Sequence, residues 1–303
     1  MYHTKTTAAA EGRWKGILLT LGVPAASLTG KHGPCPFCGG SDRFRFDNRD
    51  GMGTYICGQC GAGAGPEFVM KFTGKSFAEA MADVDRIIGN EKFEPDAVRP
   101  AMTDADRMAA LREVAKQTVK VTPGDLVDKY LTARGVGEKV YPKTLRFAAA
   151  LRDGEGGVRP AMVATVQGPD GANASLHRTF LRGDGLAKAE MQAPRKLMPG
   201  PLPEGACVRL SEFAGGALGI AEGIETALSA SAKFNVPVWS AINSTMLAKW
   251  IPPDGCEEVA IFGDHDPAYG GQAAAYALAH RLAVKGLKVT VHIPPVPGTD
   301  WND

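Results

Sequence analysis

The spacing of apolar positions divides the chain into stretches with different periods. Ile17 to Val23 form a short apolar run behind Lys5, Arg13 and Lys15, and predict a short amphipathic helix followed by a turn near residue 30. Residues 31 to about 65 are glycine-rich and alternate around four cysteines, which predicts short strands. Phe68, Val69, Phe72, Phe77, Ala80, Val84, Ile87 and Ile88 predict two helical pieces broken at Thr73-Gly74. Residues 90 to 103 hold two prolines and three acids and read as a linker. Asp104 to Lys120 has helical spacing with Thr103 as N-cap, and Asp125 to Arg134 is a second helix stopped by Gly135.

From Val158 to Leu210 the period shortens to that of strands: Met162 to Val166, a turn at Pro169-Asp170-Gly171, and a return over Ser175 to Leu181. From Ala217 onward strands and helices alternate. The strands are Ala217–Ala221, Val236–Ala241, Val259–Gly263 and Lys288–Ile293; the helices are Ile224–Lys233, Ser244–Trp250 and Gln272–Lys285. Such alternation predicts a parallel sheet covered on both faces, with active residues at the carboxyl ends of its strands.

The 303 residues suggest about two domains. With a net charge of +1, bulk charge marks no nucleic-acid binder, so any basic surface is local. No apolar run approaches a membrane span. Of six cysteines, Cys207 and Cys256 read as buried thiols, and the other four form two Cys-x-x-Cys pairs. The apolar run at Ile17 faintly resembles an export signal, but reduced metal ligands argue for a cytoplasmic protein.

Cys35, Cys38, Cys57 and Cys60, with eighteen residues between the pairs, supply the four thiolates of a closed, structural zinc site. Between them runs Asp42-Arg43-Phe44-Arg45-Phe46. In a strand, Arg43 and Arg45 share one face and Phe44 and Phe46 the other. The arginine face, with Lys31, Arg49 and Tyr55, suits single-stranded nucleic acid; an ordinary solvated face is the other reading.

Glu222, Asp264, Asp266 and Asp300 each follow a predicted strand. Crowded carboxylates repel one another unless cations fill the space between them. Hard oxygen ligands with room for water and phosphate suit Mg²⁺ or Mn²⁺ and phosphoryl transfer. The cluster is expected to bind metal, and Glu225 is expected on the helix surface or just behind it.

Gly219-Ile-Ala-Glu222-Gly223-Ile-Glu225-Thr-Ala and Ile261-Phe-Gly-Asp264-His-Asp266 resemble the two motifs of the Toprim domain. The stretch His32 to Phe46 resembles the zinc-binding domain of phage and mobile-element primases of the bacterial, DnaG-like type. Gly298-Thr-Asp300-Trp-Asn-Asp303 is similar to their third acidic motif. The resemblance implies catalytic roles for Glu222, Asp264, Asp266 and Asp300, with Glu222, Asp264 and Asp266 as magnesium ligands and Asp300 as a further one. It also implies a basic subdomain for nucleotide and template, to which Ser175–Arg182 and Ala193–Leu197 correspond. Arg178, Arg182, Arg195 and Lys196 are the expected contacts there, and Arg43 and Arg45 those on the ribbon.

The expected organisation is an α+β zinc ribbon domain at 1–90, a linker and helical segment at 91–140, a mixed, β-rich basic subdomain at 141–216, and an α/β Toprim domain at 217–303. The implied activity is primer synthesis on single-stranded DNA from nucleoside triphosphates. A Toprim nuclease and a non-catalytic recombination protein are the alternatives. Gly74-Lys75-Ser76 lacks the first glycine of a nucleotide-binding loop, with Val69 in its place, so a separate replicative helicase is the expected partner. The chain ends at Asp303, where relatives continue; a fragment and a short primase are both open.

Overall fold

The computed structural model describes residues 3–90, 102–138 and 140–303, in two compact units divided after Thr103. Most of the expected linker, residues 91–101, lies outside the described residues.

The first unit opens with α1 (His3–Ala10) and α2 (Trp14–Thr20). Trp14, Ile17 and Leu18 of α2 are buried, so the apolar run beginning at Ile17 is a core-facing helix. An antiparallel sheet follows in the order β1 (Gly33–Cys35), β2 (Gly39–Phe46), β3 (Tyr55–Cys57) and β4 (Gly61–Gly63). Next come α3 (Gly65–Thr73) and α4 (Phe77–Asn90). Gly74 ends α3 in the left-handed conformation, which glycine adopts without strain. Ser76 and Glu79 then cap α4, and Lys75 pairs with Asp83. Gly74-Lys75-Ser76 is thus a helix stop and restart, without the strand-to-helix setting of a phosphate loop.

The second unit holds two sheets. Ahead of them is α5 (Asp104–Lys116). The antiparallel sheet runs in the order β5 (Val119–Lys120), β6 (Leu145–Arg152), β7 (Val158–Gln167), β8 (Asn173–Phe180) and β9 (Arg195–Leu197), with α6 (Leu126–Ala133) inserted after β5. The helix expected to reach Lys120 stops at Lys116, because Val119 and Lys120 pair with Phe147 and Arg146 instead. β6 is a strand that the apolar pattern of its own residues does not predict. That segment pairs with β7, and its apolar residues divide between two cores.

The parallel sheet is built from β10 (Gly216–Ala221), α7 (Ile224–Phe234), β11 (Val238–Ser240), α8 (Ser244–Lys249), β12 (Cys256–Phe262), α9 (Gly270–Val284) and β13 (Lys288–His292). Its strand order is β11-β10-β12-β13 and every pairing is parallel, as the alternation predicts. Strand residues alternate between the faces. Leu218, Ile220, Val259 and Ile261 pack with α8 and α9. Ala221 and Phe262 pack with α7 in a core that also takes in α6 and one face of the antiparallel sheet. That shared core fixes the antiparallel sheet against the ends of the parallel strands. No helix among the described residues is long and apolar enough to cross a membrane.

Candidate functional site

The four ribbon cysteines meet as their spacing requires. All four sulfurs lie within 4.8 Å of one another, with Cys35–Cys60 at 3.9 Å and Cys38–Cys57 at 3.7 Å. A tetrahedral shell with Zn–S bonds of about 2.3 Å spaces its sulfurs about 3.8 Å apart. The amides of Phe37, Gln59 and Cys60 donate to Cys35 and Cys57 sulfurs at 3.4 Å, as knuckle turns around thiolates do. Burial, with the Cys35 and Cys38 charges beside it, pushes the Cys57 thiol up to about 11. A dication offsets that repulsion, so the donor set fits structural zinc.

Phe44 and Phe46 are buried and Arg43 and Arg45 face outward, as the alternation predicts. Arg43 bonds Gln59, while Arg45 and Arg49 share Asp47. Tyr55 is a correction. It was expected on the outer surface, but it is buried among Phe37, Phe44 and Phe68 because β3 turns Tyr55 and Cys57 inward and Ile56 outward.

The acidic motifs converge in the second unit. Glu222 follows β10, and its carbonyl accepts from the buried Ser240 hydroxyl at 3.0 Å. Asp264 and Asp266 follow β12. The amide of His265 donates to Thr299 at 3.0 Å and Gly298 donates back to His265 at 2.7 Å, which ties the Asp300 loop to the Asp264–Asp266 loop. Trp301 inserts among Phe234, Phe262 and His292, and Asn302 donates to the Arg134 carbonyl and the Ser229 hydroxyl. Gly271 admits the close turn: a Cβ there would lie 2.6 Å from the Asp264 carbonyl oxygen.

Burial, and then the charges of Glu222, Asp300 and Asp266, push the Asp264 carboxyl up to about 8. Its Oδ1 is buried and accepts no hydrogen bond among the described residues. An orphaned oxygen among acids is costly unless a cation meets it, so these residues fit a divalent metal. Among the described residues, the cysteines are the group of three or more potential ligands close enough together to hold an ion, and the acids do not form another.

The expected cations divide between the two faces of the antiparallel sheet. His177, Thr179, Arg195 and Leu197 share the face toward α7, and Arg178 and Lys196 share the other, by cross-strand register. Arg195 acts electrostatically on Asp264, Glu225 and His177. Arg178 lies over the Phe180 ring, with burial lowering its pKa and its Nε unpartnered. Lys196 is bound to Glu155 and the Asp153 carbonyl, and Arg182 to Asp184. Of these four, the structure brings Arg195 to the acids.

Of the two places expected for Glu225, the exposed helix surface is excluded. It is 6% exposed, because its carboxylate accepts from Tyr130 and pairs with Lys188 at 3.3 Å. Despite burial, which raises it, Lys188 and Tyr130 hold this carboxyl down to about 2. Burial, with the Arg195 charge nearby, lowers buried His177 to about 4, and its Nδ1 has no hydrogen-bond partner among the described residues. Sequence reasoning singled out neither Lys188 nor Tyr130, and took in His177 only as part of the stretch Ser175–Arg182. Tyr130 reads only as an apolar helix position, and nothing local to Lys188 signals its distant carboxylate.

A parallel sheet with acids at its strand ends, in a chain that also carries a four-cysteine ribbon, is the architecture of a Toprim protein with a zinc-binding module. Family models agree. Residues 217–303 match the Toprim domain, residues 30–66 the zinc-binding domain of primase-helicase, and residues 105–210 a domain of unknown function (DUF7146). The chain therefore carries one stretch that matches a primase-helicase zinc-binding domain and another that matches a Toprim domain. Among solved structures it is similar to the zinc-binding and RNA polymerase domains of the Aquifex aeolicus primase, at 16% identity over 98% of this chain and 80% of that chain, TM-score 0.43. It is also similar to the primase fragment of the bacteriophage T7 primase-helicase protein, at 18% over 90% and 92%, TM-score 0.39. A third is a DnaG primase catalytic domain bound to single-stranded DNA, at 12% over 66% and 77%, TM-score 0.40.

Proposed function

We propose that this chain is a DNA primase that joins nucleoside triphosphates into short primers on a single-stranded DNA template. The observation that carries this reading is the grouping of Asp264 with Glu222, Asp266 and Asp300 around a buried, unpartnered oxygen. These residues would hold Mg²⁺ or Mn²⁺. When bound, the ion supplies positive charge to phosphate oxygens and acidifies a coordinated hydroxyl.

The chain's own groups do the rest. Arg195 binds the triphosphate on the acid side of the sheet, with Lys188 beside it on Glu225. Glu222 takes the proton of the 3′ hydroxyl, whose oxygen bonds to the α-phosphorus as the bond to the β-phosphate oxygen breaks and pyrophosphate leaves. Arg43 and Arg45 grip template phosphates from the outer ribbon face. Four cysteines grouped as zinc ligands favour a reducing compartment such as the cytoplasm, and a separate helicase supplies unwound template.

The test is incorporation of labelled nucleotide on single-stranded DNA with Mg²⁺ or Mn²⁺. Asp264→Ala and Asp266→Ala are expected to abolish product while DNA binding persists. Full activity in both variants removes the metal assignment, and cleavage of DNA without nucleotides makes the protein a nuclease instead.

A further inference from the structure

Among the described residues, five with side chains hold a positive φ. Asn48, Asp50 and Asn235 are of types that tolerate it; Ile242 (φ 76) and Tyr269 (φ 60) are not. Both lie at the carboxyl edge of the parallel sheet, where strained backbone accompanies function more often than elsewhere. Ile242 packs on the core around α7, which offsets its strain. Tyr269 has no such compensation. It is 69% exposed, and its side chain has no hydrogen bond, ion pair or ring contact among the described residues.

Glycine at 269 would take this backbone freely, and Gly270 and Gly271 already follow. The chain instead holds a large ring in water, three residues from Asp266. The Tyr269 amide donates to the Asp266 carbonyl at 2.9 Å, and its own carbonyl accepts from Ala273 at 2.9 Å. The position is therefore locked to both the acidic loop and the first turn of α9.

We infer that Tyr269 is a nucleobase platform, its ring stacking on a base of the nucleotide or polynucleotide held at the acidic cluster. The inference rests on the nucleotidyl-transfer reading. Every base offers a π face, so an exposed aromatic ring beside a phosphate-handling site adds affinity without choosing a sequence. The base belongs either to the incoming nucleotide or to the DNA strand, and the two sources separate by experiment.

The test uses the full chain with Tyr269→Gly, Tyr269→Phe and, as control, Tyr276→Ala. Tyr276 is 59% exposed on α9, about 10 Å further along the helix axis. The readouts are KM for each nucleoside triphosphate, Kd for labelled single-stranded DNA, and Tm. Tyr269→Gly is expected to melt no lower than wild type, since it relieves the backbone, yet to weaken binding about tenfold. A rise in KM alone assigns the base to the nucleotide; a rise in Kd alone assigns it to the strand. Tyr269→Phe and Tyr276→Ala are expected to match wild type. Unchanged KM and Kd in Tyr269→Gly overturn the platform and leave the primase reading standing, as does a Tyr269→Phe as impaired as the glycine variant. A wild-type chain that neither incorporates nucleotide nor binds DNA overturns the nucleotidyl-transfer reading and the platform with it.

Discussion

Gln272 grips the backbone of Asp266 from both sides: its Oε1 accepts from the Asp266 amide at 3.1 Å and its Nε2 donates to the Asp266 carbonyl at 3.0 Å. The glutamine is buried in the first turn of α9, and the Asp266 carboxylate in turn accepts from the Gly271 amide at 2.8 Å. Side chain and helix start together fix the acidic loop.

Gln272→Glu keeps the acceptor and sets a carboxylate oxygen against the Asp266 carbonyl in place of the donor. Nucleotide incorporation is expected to fall at least tenfold, with a stability loss of about 1–3 kcal/mol. Thermal unfolding and single-turnover assays check this; wild-type activity in the variant would show that the clamp has no part in placing Asp266.

Zinc removal concerns the first unit. The Cys57 strand also carries Tyr55 into the aromatic cluster of Phe37, Phe44 and Phe68. Cys57→Ala is expected to lose bound zinc and roughly 10 kcal/mol of binding free energy, and to unfold the ribbon. Metal analysis and near-ultraviolet dichroism read both effects. A variant that retains one zinc per chain would exclude Cys57 as a ligand.

Acid sensitivity follows from two buried groups. His177 is lowered to about 4, so the unfolded chain binds the extra proton below about 6.5, and stability falls as pH drops from there toward 4. Glu225 is lowered to about 2, so its contribution is full above the unfolded value near 4.5 and is lost as pH falls toward 2. Glu225→Gln is expected to cost about 3 kcal/mol at pH 7 and to flatten the lower part of this limb. Denaturant titrations between pH 2 and pH 7 measure it; an unchanged acid limb would remove the Lys188 pairing as its cause.

The two faces of the antiparallel sheet predict a division among the cations. Arg195→Ala is expected to raise nucleotide KM about tenfold. Lys196→Ala and Arg178→Ala act from the opposite face and are expected to change it less than threefold, with any loss appearing in stability. Steady-state kinetics on the three variants decide; equal effects would contradict the division.

Much of this was legible in the residues themselves. Two Cys-x-x-Cys pairs confine four sulfurs to one site whatever surrounds them. Glycines close each knuckle, and strand–helix alternation after Ala217 implies a parallel sheet with Glu222, Asp264 and Asp266 at its ends. These are local constraints, set by spacing and backbone preference. Long-range pairing decided the rest. Leu145–Arg152 became a strand only against β7, and Val119–Lys120 left a helix to join that sheet. Arg195 and Lys196, adjacent in the chain, parted to opposite faces because strand side chains alternate, and only the shared core around α7 determined which face met the acids. Glu225 is buried because Lys188 and Tyr130 arrive from distant segments to neutralise and bond it, a balance of desolvation and charge that its own neighbours in sequence do not contain.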